Sequence, residues 1–217
     1  MSSIFHKKIE NKLYFVNYKC GFSTFNNVSK SSDLIRRVKQ EEFHTLNFQD
    51  LLLSTHKTIL VRDPQERFVS WLNDKILNRR GDFHSIQNCF IKWGKKNTES
   101  ILDDLYYCNN DKNFDDLPNL VDELIDSFSC VYHRDGHTRS QVDVYREHNL
   151  QSDDFQKIIH FSKNIELLKD DSNPEPKIFN RTKSHNLKNN ILTKKVINTL
   201  DVLYENDSKL YAKIEKN

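Results

Sequence analysis

The segment Thr58–Asn78 constrains the fold more than any other part of the chain. Thr58-Ile59-Leu60-Val61 is a short apolar run rich in β-branched residues, as expected of a buried strand. Asp63-Pro64 follows directly, with Glu66 three residues after Asp63. Aspartate caps helices, proline suits the first turn, and an acid at that offset completes a capping box. Phe68, Trp71, Leu72 and Ile76 then recur at helical spacing. A strand therefore delivers Arg62 to its C-terminal end and a helix begins at once behind it. Asp63, Arg67 and Ser70 fall on a second face of that helix. Two readings stay open at this point: an anion site built around Arg62, or a surface arginine beside a solvated helix face.

A second strand-to-helix turn lies upstream. Leu13–Val16 reads as a strand, and Tyr18-Lys19-Cys20-Gly21-Phe22-Ser23-Thr24-Phe25 as a turn opening a helix that runs through Val28. Gly21 lets a backbone approach an anion, Ser23 and Thr24 offer hydroxyls and helix-start N–H groups, and Lys19 supplies charge. A Lys-x-Gly turn is also common as a turn and nothing more. The GxxxxGK[ST] phosphate-loop motif is absent.

Composition bounds the remaining possibilities. The 217 residues suit one domain with a full core. The charge balance, 33 basic against 31 acidic residues, lacks the clustered basic excess of a nucleic-acid binder. No stretch has the length and apolarity of a bilayer span, and no apolar leader follows Met1, so a cytoplasmic protein with no integral membrane segment is expected. Cys20, Cys89, Cys108 and Cys130 are widely spaced without a CxxC or Cys/His pattern, so reduced thiols and no metal site are expected.

Further along, Phe48–Leu53 is expected to be a short helix capped near Asn47. Helices are expected over Ser85–Trp93, Thr98–Tyr107 and Leu117–Phe128, with Asp122, Glu123 and Asp126 of the last on a solvated face. Lys157–Phe161 reads as another buried strand and Ser162–Leu168 as a helix. From Leu192 the pattern predicts one long C-terminal helix packed on the sheet. Strands alternating with helices indicate an α/β fold with a mainly parallel sheet, in which ligands gather beyond the C-terminal strand ends.

Several segments converge on one family. Val61-Arg62-Asp63-Pro64-Gln65-Glu66-Arg67-Phe68-Val69-Ser70 resembles the 3′-phosphate-binding segment of the 3′-phosphoadenosine-5′-phosphosulfate (PAPS)-dependent sulfotransferases, most closely the carbohydrate type called sulfotransferase family 2. The usual continuation is Ala-Tyr, where this chain has Trp71-Leu72. Lys19-Cys20-Gly21-Phe22-Ser23-Thr24 is similar to the 5′-phosphosulfate loop, commonly Pro-Lys-Thr-Gly-Ser-Thr, with Tyr18 in place of proline and the hydroxyls displaced by about one position. His137-Thr138-Arg139-Ser140-Gln141 resembles a His-x-Arg-Pro-Gln stretch, with Ser140 for proline. Asn180-Arg181-Thr182 and the later Leu203-Tyr204-Glu205-Asn206-Asp207 resemble the C-terminal pattern.

The resemblance implies a three-layer, P-loop-like α/β fold over residues 1–217, with a helical acceptor-side insertion at about 79–134. It implies transfer of a sulfuryl group from PAPS to a carbohydrate or glycoconjugate hydroxyl, without metal, leaving PAP. Lys19, Gly21, Phe22, Ser23 and Thr24 would hold the 5′-phosphosulfate. Arg62 and Ser70 would hold the 3′-phosphate, joined by Arg181, Thr182 and Lys183. Lys19 would also stabilise the leaving group. A general base is required; His44 is the first choice, with Glu41, Glu42 and His137 as alternatives. A PAP-binding protein without activity and a P-loop-like kinase are the competing readings.

Overall fold

A computed structural model describes residues 4–18, 20, 22–31, 33, 35–81, 83–112, 114–163, 168 and 187–214. The chain divides into two compact units. One comprises residues 1–62, 141–181 and 209–217 and holds the sheet; the other comprises 63–140 and 182–208 and is helical.

The sheet has the order β3-β1-β2-β4-β5, with β1 at Ile4–Lys7, β2 at Lys12–Val16, β3 at Arg36–Arg37, β4 at His56–Val61 and β5 at Lys157–His160. β2 pairs in parallel with β4, and β4 with β5. β1 runs against both β2 and β3, so the sheet is mixed, with four strands sharing one direction. Sequence reading missed β1 and β3. Four residues behind a polar start, and a two-residue Arg-Arg strand, carry too little local signal; their partners impose the extended conformation. The β1–β2 turn places Asn11 at φ +49°, a left-handed conformation that asparagine tolerates well. Asn11 also ties the turn to the start of β4, its carbonyl accepting from the His56 N–H at 3.2 Å.

Strand side chains alternate between two cores. Leu13, Phe15, Ile59 and Val61 face one, against Phe48 and Leu52 of α2 (Leu46–Ser54) and Val144 of α7 (Asp143–Arg146). Tyr14, Val16 and Leu60 face the other, against Phe25 and Val28 of α1 (Phe22–Ser31). Helices thus cover both faces, which is why these strands read as continuous apolar runs. Thr45 caps α2, its hydroxyl accepting from the Phe48 N–H at 3.3 Å, so the helix starts ahead of the expected cap at Asn47.

In the helical unit, α3 (Pro64–Trp71) begins as expected: the Asp63 carboxylate accepts from the Glu66 N–H at 2.9 Å and Pro64 opens the first turn. It continues as a π-helical turn over Leu72–Leu77. α4 (Phe83–Trp93), α5 (Thr98–Asn110) and α6 (Leu117–Val131) pack around its apolar face. Trp71 and Leu72, the departure from the Ala-Tyr pattern, are both core residues; Trp71 packs on Phe128 at 5.2 Å and donates its indole N–H to Asp135 at 3.0 Å.

The single long C-terminal helix is not found. Three helices occupy the segment: α8 (Lys188–Ile191), α9 (Lys194–Leu203) and α10 (Glu205–Tyr211), with the last break at Tyr204. Val196, Leu200 and Tyr204 pack in the helical core rather than on the sheet, whereas Leu210 belongs to the core of the sheet unit. The face of α6 expected to be solvated stays partly so, with Glu123 exposed, but two of its acids meet partners: Asp126 pairs with Lys195 at 2.9 Å and Lys95 at 3.3 Å, and Asp122 accepts from the Thr193 hydroxyl. Of the expected Ser162–Leu168 helix, a short 3-10 turn at Phe161–Lys163 is described and 164–167 lie outside the described residues. Among the described residues no helix is long and apolar enough to cross a membrane.

Candidate functional site

Two neighbouring strands set up the site. β2 and β4 are parallel and in register, Val16 opposite Leu60, so the residues after each emerge at the same edge of the sheet. After β2 the chain passes to β3 on one side; from β4 it later reaches β5 on the other. A strand order that diverges in this way leaves a crevice beyond the carboxyl ends of the two central strands, where α/β sheets bind ligands.

On the β2 side, the turn through Tyr18 and Cys20 leads into α1. The Asn17 side chain accepts from the Tyr18 N–H at 2.7 Å, and its carbonyl from the Cys20 N–H at 3.1 Å. The Tyr18 ring lies on Phe22, centroids 4.6 Å apart, and the Arg37 guanidinium sits 5.2 Å over the same Phe22 ring. The first turn of α1 carries no acidic residue, so its N–H groups and dipole present positive potential without a competing carboxylate. Ser23 is half-buried and Thr24 buried on this turn. Lys19 and Gly21 lie outside the described residues.

On the β4 side stands Arg62. Its backbone is gripped at both ends by one side chain: Gln141 accepts from the Arg62 N–H at 2.8 Å and donates to the Arg62 carbonyl at 2.9 Å. The guanidinium is half-buried and lies 4.6 Å over the Phe161 ring. Phe161 directly follows β5, so the neighbouring parallel strand supplies the platform. Ser70 lies on α3 in the helical unit and is buried. Arg181, Thr182 and Lys183 lie outside the described residues.

Arg67 does not belong to a solvent-facing anion surface. It is 1% exposed, and its guanidinium pairs with Asp207 at 3.0 Å and donates to the Arg139 carbonyl at 3.0 Å. Asp207 also accepts from the Ser140 hydroxyl, and the Tyr204 hydroxyl donates to the Thr138 carbonyl. Burial raises the Tyr204 hydroxyl above the ordinary phenol range, so it stays a donor. The Leu203–Asp207 pattern therefore holds the 138–140 loop in place within the helical unit.

The candidate bases differ in their freedom. His44 is exposed on the turn between β3 and α2, and lines a groove of about 610 Å³ with Arg37, Gln40, Phe43, Glu147 and His148 among its walls. His148 is wedged against Phe43, Phe48 and Phe15 at 4.7, 5.5 and 6.2 Å. Burial lowers its pKa from 6.5; the Glu147 charge opposes this and that of His44 adds to it. Glu42 is committed: both carboxylate oxygens accept from Arg36 at 2.7 Å, and one accepts from the Lys39 N–H at 2.8 Å. Burial disfavours its ionised form, but these partners outweigh it and hold the pKa below the ordinary carboxylate value. Glu41 is exposed and 3.9 Å from Lys39. His137 lies in the helical unit, its backbone N–H donating to the Asp135 carboxylate at 3.0 Å.

Sequence reasoning assigned no role to Gln141, Phe161, Arg37 or His148. Only Gln141 left a signal, as the last residue of a stretch matching a recurrent pattern. The other three act through neighbours distant in sequence.

The sequence model described as Sulfotransferase family matches residues 9–213, nearly the whole chain. No curated protein and no solved structure matches it.

Proposed function

The chain belongs to the sulfotransferase family, and on that premise we propose that it transfers the sulfuryl group of PAPS to a hydroxyl of a carbohydrate or glycoconjugate. The observation that carries this reading is the register of β2 with β4, which presents a helix N-terminus and an arginine at one sheet edge. A donor with phosphate groups at both ends needs two separated cationic sites, and this donor set has that chemistry. We read the sheet accordingly as P-loop-like.

PAPS, when bound, supplies an activated sulfuryl group and a leaving oxygen that gathers negative charge. Lys19 would stabilise that charge, with Gly21, Phe22, Ser23 and Thr24 around the 5′ end. Arg62 and Ser70, with Arg181, Thr182 and Lys183, would hold the 3′-phosphate. His44 would accept the proton of the attacking hydroxyl. It is preferred to Glu42 because it faces an open groove, whereas the Glu42 carboxylate is already engaged by Arg36. That groove has room for part of an acceptor beside His44, and the insertion at about 79–134 would select which acceptor is taken.

The test is transfer of label from PAPS to a panel of glycan acceptors, with loss of product in Lys19→Ala and Arg62→Ala. Failure of the wild-type chain to bind PAP by titration calorimetry at low salt would sink the reading at its first step.

A further inference from the structure

We propose that Gln141 is a positioning residue that clamps the turn after β2 to the end of β4 and so fixes the spacing between the two ends of the donor site. Three contacts made by one fully buried side chain carry the inference. Gln141 Oε1 accepts from the Arg62 N–H at 2.8 Å and from the Cys20 thiol at 3.0 Å, while Nε2 donates to the Arg62 carbonyl at 2.9 Å. Gln141 and Cys20 are both 0% exposed.

The geometry explains the residue type. Arg62 is the first residue beyond β4, where the strand ladder with β5 has stopped at Val61 and His160. Its N–H and carbonyl still need partners. A planar carboxamide offers one acceptor and one donor side by side, as a neighbouring strand would. Glutamate would set a carboxylate oxygen against the carbonyl, and asparagine is one methylene shorter. The second acceptor direction of Oε1 then takes the Cys20 thiol from the neighbouring turn. One amide thereby joins the segment that carries Lys19 and the α1 N-terminus to the segment that carries Arg62. In a water-excluded site such shared hydrogen bonds hold geometry more tightly than exposed ones.

This role rests on the proposed donor site, and the test separates the two. Binding of three ligands to the full chain is measured by calorimetry: PAP, which has both phosphate ends, and adenosine 5′-phosphate and adenosine 3′-phosphate, which have one each. Gln141→Met is expected to weaken PAP about tenfold or more while changing each one-ended ligand less than about twofold, because only a two-ended ligand reads the spacing. Cys20→Ala, which leaves the Arg62 contacts in place, is expected to show the same selectivity at a smaller size, and it carries the comparison if Gln141→Met does not fold. Unchanged PAP affinity, or equal loss for all three ligands, overturns the proposal.

Hydrogen exchange at the Arg62 amide and alkylation of the Cys20 thiol are followed in parallel without ligand. Both are expected to accelerate in Gln141→Met. If the wild-type chain binds none of the three ligands, the donor reading falls. In that case acceleration of both signals still supports the clamp, and no change overturns it.

Discussion

The Arg67 guanidinium and the Asp207 carboxylate lie 3.0 Å apart with side chains 2% and 0% exposed, 140 residues apart in sequence. They join α3 to α10 and, through the Arg139 carbonyl and the Ser140 hydroxyl, fix the loop between them. Removing one partner of such a pair strands a buried charge. Arg67→Ala or Asp207→Ala is therefore expected to cost about 3–5 kcal/mol. Denaturant melts of each variant check this. A loss below about 1 kcal/mol would show that the pair is not buried as described.

Arg62 has a different expected signature. It is half-buried and held by its backbone, so truncating its side chain should leave stability nearly unchanged while weakening PAP. A charge-assisted hydrogen bond of about 1.5–3 kcal/mol implies a loss of roughly 10- to 150-fold for Arg62→Ala. Arg62→Lys should recover only part of it, since an ammonium lacks the planar fork. Calorimetric titration with PAP, beside a melting curve of each variant, separates the two effects.

His44 is expected to govern turnover and not donor affinity. His44→Ala should lower kcat by about 10²–10⁴-fold, the usual contribution of a general base, with PAP binding preserved. Glu42→Gln should act otherwise: it removes the bidentate partner of Arg36 and lowers stability, leaving the base in place. If His44→Ala turns over normally while Glu41→Gln does not, the base is Glu41.

His148 should confer acid sensitivity on the fold. Burial against Phe15, Phe43 and Phe48 is the main cause that lowers its pKa from 6.5. The unfolded chain then takes up the proton first, so stability is complete above about 6.5 and declines as pH falls through the folded-state pKa. His6 adds to this slope in the same sense, its pKa lowered by burial and by the Arg36 and Lys8 charges against a hydrogen bond with Asn11 that favours the protonated ring. Melting temperatures between pH 7.5 and 5 are expected to fall less steeply in His148→Leu than in the wild type. Parallel curves would remove His148 from the account.

The strand and helix that flank Arg62 were legible because their signals are local. The Asp63 cap, the Pro64 start and the Phe68–Trp71–Leu72 spacing announce α3 within one turn of Arg62, and the structure has all of them. Gln141 was not legible in that way, because its partners lie 79 and 121 residues away and a buried carboxamide leaves no periodic trace. The same reason hid the fate of Arg67. At i+4 from Asp63 it reads as part of a polar face, and only the return of the chain at Asp207 turns that face inward.

Local sequence encodes the strand and helix on either side of the turns after β2 and β4, and membership of the sulfotransferase family. Each depends on short-range steric and capping preferences, which neighbours in the chain suffice to express. The tertiary structure alone decided that β1 is inserted antiparallel at one side of β2, that the C-terminal segment breaks at Tyr204, and that Gln141 rather than a nearby loop residue holds Arg62. These features depend on pairing between residues far apart in the chain, and partners that meet only on folding leave no local pattern to read.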